Sequence, residues 1–462
     1  MSIPPAVLGD GLLPANVMSW LARELGAEII DIVPRAGGGA SREGAMLKVV
    51  LPERGLTDCY LTYDLRAPEQ AARLAGFEAE ASAIAAMRGT PVNAPPLIAY
   101  DVSSRAMLTE RVAGETRFDV LTEETARCKV AADFMRQLAA LHALDINTLP
   151  LRGFAPLKPL RVAIKDRLDS LANKHAEGEE DPLMVFALRW LQDNVPDEPR
   201  RQVLVHGDAG PANFLHHEGQ VTAILDWEMT HFGDPMEDLA WIAVRDLFQP
   251  FVPLPECFGV YSEASGVPVD LPRVRYHRAY ALINLVIDTH ADLVQKQGDF
   301  AGIYGNYLMY YTLHCKVLVE SIAESLGEPL VPLNIPASTP SPRERSYTVA
   351  LQELRELVIP HVDNEVAVHR LKSMARLIKY WQACDRYSAE FAKAERREIA
   401  GALNANFDSL EDARRALVVA IRNRDVSDGQ IIRLLWNRVQ RDNALMTPAM
   451  GALAKRHFAP LT

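Results

Sequence analysis

Cysteine is scarce: five residues in a chain of 462, at Cys59, Cys128, Cys257, Cys315 and Cys384, with no CxxC pair among them. That excludes a disulfide framework and a zinc-finger scaffold, and it fits small buried hydrophobes in a reducing, cytoplasmic setting. Long apolar runs are also lacking. The longest uncharged stretch, Ala301 to Cys315, is too short and too rich in tyrosine to span a bilayer, and no basic segment precedes an apolar one near Met1, so no membrane partner is expected. Positive charge is in deficit, 49 Lys and Arg against 60 Asp and Glu for a net −11, which repels polyanions and makes nucleic acid an unexpected partner. Repeats and low-complexity tracts are absent. What is present, 48% hydrophobic and 24% charged residues, is the composition of a packed globular protein, and the length calls for two or three folding units.

Val17, Trp20, Leu21 and Leu25 recur at helical spacing and stop at Gly26, after which EIIDIV reads as a strand. Two runs, GAMLKVVL and CYLTYDL, flank the turn-rich PERGLTD and predict a hairpin. A helix over Pro68 to Met87 and a strand pair at PLIAYD and AMLTERV complete an α+β lobe on a small antiparallel sheet, residues 1–113. From 114 to 328 the pattern is mostly helical, apart from a strand-and-loop region from Gln202 to Trp227. Five prolines between Pro329 and Pro342 mark an extended linker, residues 329–343. Beyond it, Leu371, Met374, Ile378 and Trp381, then Ile431, Leu434, Leu435 and Val439, predict an all-α bundle over 344–462. Such a bundle could cap an acceptor cleft or join copies in a homo-oligomer.

Chemistry is concentrated in LVHGDAGPANFLHHEGQVTAILDWEMTHFGDPMEDLA, residues 204–240. A strand ends in His206-Gly207-Asp208, and a short loop delivers Asn213 five residues after Asp208. A hairpin turning at Glu218-Gly219 then leads to a second carboxylate, Asp226. A carboxylate and a carboxamide on one loop can hold a hydroxyl nucleophile and a cation together. Two hard oxygen donors, Asn213 and Asp226, flanking a base suit Mg²⁺-nucleotide chemistry, because magnesium takes few protein oxygens and completes its octahedron with phosphates and water. His206 reads as the organiser of this loop rather than as a base. His216 and His217 read as solvated hairpin residues, since no cysteine or carboxylate stands at ligand spacing from them. Asp234 is placed to cap a helix from Met236 to Leu247, and Asp238 to brace the loop.

HGD, four residues, Asn, a hairpin, Asp, then GDP and DLA resembles the aminoglycoside phosphotransferase family of the protein-kinase-like fold. The pattern is also similar to the kinase domains related to those fused to acyl-CoA dehydrogenases. The resemblance spans roughly residues 20 to 330. It implies a bilobal α+β fold with a small antiparallel-sheet N-lobe for nucleotide and a mostly helical C-lobe for catalysis and acceptor binding. It implies Asp208 as the base that takes the acceptor hydroxyl proton, and Asn213 and Asp226 as ligands of the Mg²⁺ that bridges the phosphates of ATP or GTP. Gly37, Gly38 and Gly39, with Ser41 and Arg42, fall where the loop over the phosphates belongs; glycines let backbone N–H groups approach phosphate oxygens. Glu80 aligns with the glutamate that grips a nucleotide-orienting lysine, and Glu110 and Val112 with the hinge that pairs the adenine edge.

The third strand departs from the family pattern, with Thr62 where a lysine or arginine belongs. Either Lys48 or Arg42 reaches the same space, or the domain is a pseudokinase or nucleotide-sensing scaffold that binds partners through the C-terminal bundle. For the acceptor, Arg273, Arg275 and Arg278 open a helix near Tyr276 and His277, a basic cluster that suits a small anionic molecule such as a hydroxyacyl-CoA better than a polycationic aminoglycoside. A protein acceptor is disfavoured because GDP follows Asp226 too soon for a long activation segment.

Overall fold

Residues 13–35, 42–64, 71–176, 178–294, 304–338 and 340–461 are described by the computed structural model. Gly37, Gly38, Gly39 and Ser41 lie outside these residues. The chain forms two compact units, Met1–Lys158 with Pro199–Val269, and Pro159–Glu198 with Asp270–Thr462.

In the first unit α1 (Ala15–Ser19) continues as a π turn to Glu24 and ends at Gly26, whose φ of +59° a side chain would resist. It precedes β1 (Glu28–Arg35), β2 (Glu43–Leu51) and β3 (Gly55–Tyr63); α2 (Ala71–Ala86) then leads to β4 (Leu97–Asp101) and β5 (Ala106–Glu110). The five strands form one antiparallel sheet in the order β1-β2-β3-β5-β4. Period-two alternation puts Ala45, Leu47, Val49 and Leu51 of β2 and Cys59, Leu61 and Tyr63 of β3 into one core with Val17, Trp20 and Leu21. Each large side chain buried there contributes about 1.5–3 kcal/mol. The other face of β2 is left to Gly44, Met46 and Lys48.

The chain next forms α3 (Glu124–Ala143), departs into α4 (Leu160–Ala176) and α5 (Pro182–Asp193) of the second unit, and returns at β6 (Val203–Val205). A hairpin of β7 (Phe214–His217) and β8 (Gln220–Ile224) turns on Glu218 and Gly219, with φ of +50° and +82° as a two-residue type I′ loop requires. After it, β9 (His231–Gly233) pairs antiparallel with β6, and α6 (Pro235–Asp246) and α7 (Leu254–Ser265) follow. Phe134 of α3 packs on Phe214 of β7 with ring centroids 4.7 Å apart, which pins the hairpin to the helix. His216 is buried by the same packing, its Nε2 3.2 Å from the Arg117 carbonyl, so the solvated-turn expectation holds for exposed His217 and fails for His216.

The second unit continues with α8 (Leu271–Val294), α9 (Tyr304–Leu326), α10 (Glu344–Glu353), α11 (Glu365–Leu403), α12 (Leu410–Asn423) and α13 (Asp428–Met450). Asn364, Ser409 and Ser427 cap α11, α12 and α13 with their side-chain oxygens. The expected division at 329–343 is not where the compact units part. α13 packs on α9 and α5, and α12 on α5, so the C-terminal helices share a core with helices assigned from sequence to the catalytic lobe. The proline-rich segment is tied down along α13: Trp436 Nε1 donates to the Val331 carbonyl at 2.8 Å, and Leu333 N–H donates to Gln440 Oε1 at 2.7 Å.

The arginine cluster is also corrected. Arg278 is fully buried and pairs with Glu324, Arg275 donates through Nε to Glu324 Oε1 at 3.0 Å, and Arg273 donates to the Asp197 carbonyl at 2.9 Å. Arg275 and Arg278 serve the packing of α8 against α9 and the C-terminal residues, because a buried guanidinium needs a carboxylate beside it, while Arg273 ties α8 to the segment after α5. Tyr276 is buried too, donating to the Leu191 carbonyl at 3.1 Å. No helix among the described residues is long and apolar enough to cross a membrane.

Candidate active site

The loop after β6 is shaped by one buried carboxylate. Asp238, on α6, accepts the His206 and Gly207 N–H groups at 2.8 Å each, and His142 of α3 lies 3.0 Å from the same carboxylate. Burial pushes Asp238 up, but the His142 hydrogen bond and the nearby imidazoles bring it below the ordinary carboxylate range. Gly207 adopts φ +83°, and a Cβ there would collide with the Met229 carbonyl, so only glycine fits. His206 is buried and receives the Asp208 N–H on Nδ1 at 3.3 Å, which assigns the ring proton to Nε2 for donation to the Leu225 carbonyl at 2.7 Å. Burial holds its imidazole below the usual range and therefore neutral. His206 thus ties the loop to the residue before Asp226, in the organising role expected of it. Asp234 caps α6 through Met236 N–H at 3.0 Å, also as expected.

Asp208 and Asn213 meet at the loop's ends: the Asn213 amide nitrogen donates to both the carbonyl and Oδ2 of Asp208 at 2.9 Å. Asn213 O in turn accepts the Leu225 N–H at 2.8 Å. Asp226 follows in the left-handed region at φ +64°, a strained conformation of about 1–3 kcal/mol that the bonds on both sides of Leu225 sustain. Desolvation by the surrounding protein, with the charges of Glu228 and Asp208 adding to it, pushes the Asp226 carboxyl up to about 7.

This donor set fits a magnesium ion. With its nitrogen committed to Asp208, Asn213 presents Oδ1 as a hard donor, and Asp226 is a solvent-facing carboxylate crowded by the negative charges of Glu228 and Asp208. Among the described residues no group of three His, Cys, Asp or Glu side chains forms a cage of its own.

Arg42 enters just before β2, lays its guanidinium 5.2 Å over the Phe77 ring of α2, and pairs with Glu80 of the same helix. It also lies 3.8 Å from Glu228. The pairing expected between Glu80 and a strand cation is therefore made from the strand's entrance. Lys48 does not share it: exposed on β2, it stands opposite Asp31 and Asp58, six residues or about 20 Å of extended chain beyond Arg42. Thr62 faces Gly44 and Met107 across the sheet. Glu110 ends β5, pairing with Arg54 and donating its N–H to the Pro96 carbonyl at 2.9 Å. Val112 lies just outside β5, with no hydrogen-bond partner for its backbone among the described residues.

Two residues at this site escaped the sequence reading. Glu228 follows Asp226 by two positions, and the D-x-E spacing was a signal for it. Arg245, on α6, donates Nε to Asp208 Oδ1 at 2.7 Å and Nη2 to Oδ2. It stands 37 positions beyond its partner, and no local pattern announces it.

Residues 54–280 match the phosphotransferase enzyme family, APH. The chain carries a phosphotransferase-family domain. Human acyl-CoA dehydrogenase family member 11 is 31% identical to it over 237 residues, covering 48% of this chain and 30% of that protein. The mouse protein of the same name is 27% identical over 248 residues, with the same coverage of 48% and 30%. The chain thus aligns with about 30% of the length of these relatives. Among solved structures, a ternary complex of aminoglycoside phosphotransferase APH(4)-Ia with AMP-PNP and hygromycin B is 18% identical, with a TM-score of 0.49 over 67% of this chain and 99% of that one. The family match, residues 54–280, takes in β3 to β5, the helix bearing Glu80 and the whole β6 to α6 region.

Proposed function

We propose that this chain transfers the γ-phosphoryl group of Mg²⁺-bound ATP or GTP to a hydroxyl of a small-molecule acceptor. The observation that carries this reading is the meeting of Asp208, Asn213 and Asp226 in one compact unit that also holds the Arg42–Glu80 pair. Phosphoryl transfer is mostly positioning and neutralisation of developing charge, and each group has a part in it. Asp208 orients the acceptor hydroxyl and takes its proton, and Asn213 Oδ1 and Asp226 would hold Mg²⁺. When bound, the ion neutralises the phosphates. Arg42, oriented by Glu80, is the cation available to the nucleotide in place of the missing strand lysine, which favours catalysis over the scaffold reading. Gly37 to Ser41 remain the proposed phosphate cover, and Glu110 and Val112 the adenine hinge.

For the acceptor we propose a hydroxyacyl-CoA or similar thioester. Its support is kinship with chains named acyl-CoA dehydrogenase family members; the arginines of α8, engaged by Glu324, Leu461 and Asp197, no longer contribute. The five free cysteines agree with a cytoplasmic setting.

Calorimetric titration with ATP and with GTP, with and without Mg²⁺, tests the donor half. Magnesium-dependent binding to the wild type that disappears in Asp226→Ala is expected, and no binding of either nucleotide would sink the reading. Turnover with 3-hydroxyacyl-CoA should fall by about 100-fold or more in Asp208→Ala.

A further inference from the structure

The loop between Asp208 and Asn213 reads Ala209-Gly210-Pro211-Ala212 and carries no cation of its own, although the reacting centre gathers the carboxylates of Asp208, Asp226 and Glu228. The positive charge arrives from α6 instead. Gly210, at φ +142°, makes the passage: a Cβ there would lie 2.9 Å from Arg245 Cβ and 3.1 Å from Cγ, so the bare glycine lets the arginine stem cross the loop. Arg245 then holds Asp208 through Nε and Nη2, with Asp226 and Glu228 acting on its charge as well.

Two leftover valences decide what this arrangement can do. Arg245 Nη2 and the Asn213 amide occupy Asp208 Oδ2, and Arg245 Nε occupies one side of Oδ1; of roughly four acceptor positions on a carboxylate, the one remaining is on Oδ1. On the arginine, Nη1 has no protein partner among the described residues and is not sealed from solvent, the side chain being 27% exposed. With Nε and Nη2 turned to Asp208, Nη1 is left on the other side of the guanidinium as a donor pair, and base and arginine are locked together in a planar fork.

We propose that Arg245 is a catalytic residue of this phosphotransferase, bridging the base and the group in flight: Nε and Nη2 hold Asp208, and Nη1 donates to an oxygen of the transferring phosphoryl group. This rests on the phosphotransferase reading. The acceptor hydroxyl oxygen bonds to the γ-phosphorus as the bond to the β–γ bridging oxygen breaks. The electron pair leaves on the nucleoside diphosphate, and the hydroxyl proton passes to Asp208 Oδ1. Negative charge spread over the equatorial oxygens meets Nη1 without reorganisation of the site, since Asp208 already holds the guanidinium in place.

The test is calorimetry of the wild type, Arg245→Met and Arg245→Lys with Mg²⁺-ADP, alone and with aluminium fluoride, which mimics the planar phosphoryl group. All three should bind Mg²⁺-ADP within about threefold. Aluminium fluoride should tighten binding to the wild type, the Met variant should lose at least tenfold of that tightening, and the Lys variant should regain part of it. Undiminished tightening in the Met variant overturns the role of Arg245 and leaves the phosphotransferase reading intact. A wild type that binds Mg²⁺-ADP without tightening overturns it as well, as does a Met variant that loses plain Mg²⁺-ADP affinity to the same degree. Failure of the wild type to bind Mg²⁺-ADP at all overturns the phosphotransferase reading and this inference with it.

Discussion

A guanidinium paired with a carboxylate that is only 4% exposed cannot be removed without leaving that charge alone, and Arg42 stands in this relation to Glu80. Breaking such a pair from one side destabilises by about 3–5 kcal/mol. Arg42→Met is accordingly expected to lose both nucleotide affinity and thermal stability, and Arg42→Lys to keep part of each. Lys48→Met, on the open face of β2, should leave ATP affinity within about twofold of the wild type in the same titration; a tenfold loss would return Lys48 to the site.

At the scale of the element, the loop after β6 is held less by its own residues than by α6 beneath it. Asp238 receives two consecutive N–H groups of the loop, and Gly207 has no room for a side chain against Met229. Gly207→Ala combines a steric collision with an unfavourable φ and should lower stability in urea titration by about 3 kcal/mol or more. A loss below about 1 kcal/mol would mean that the β6 to α6 region yields easily. The same loop shows how far local pattern reaches. The HGD spacing, the Asp234 cap and the Glu218-Gly219 turn are written in adjacent residues and stand where their chemistry puts them. Arg42 and Lys48 were equal candidates as text, because the partner of a strand residue depends on its face and register, and those are set by β3 and α2.

For the whole molecule, the helices after residue 343 are part of the core of the second unit. Asp181 caps α5 through the Leu183 N–H at 2.8 Å and is also paired with Arg438 of α13, Nη1 to Oδ1 at 3.0 Å, both groups being buried. Deleting 344–462 would expose α9 and α5 and leave the Asp181 charge unpaired. The 1–343 fragment should therefore be insoluble or resist cooperative folding, and a well-folded fragment with a sharp thermal transition would contradict this. Acid sensitivity belongs to the same unit. Burial pushes His314 of α9 down to about 4 from an ordinary value near 6.5. The unfolded chain then binds a proton that the folded one refuses, so stability is full above about pH 6.5 and falls as pH drops toward 4. Between pH 7.5 and pH 5 the loss from this group is about 2 kcal/mol, and His314→Leu should flatten that part of the urea-midpoint profile.

Helices and strands in their order, the antiparallel sheet, and the loop bearing Asp208, Asn213 and Asp226 were legible in the chain itself, because periodicity, caps and turns act between residues a few positions apart. Which cation serves Glu80, how Asp208 is held, why Arg273, Arg275 and Arg278 make no open patch, and where one compact unit ends all waited on the fold. Each of these depends on charges or apolar faces dozens to hundreds of residues apart, and a buried charge takes whichever partner the packing brings within reach.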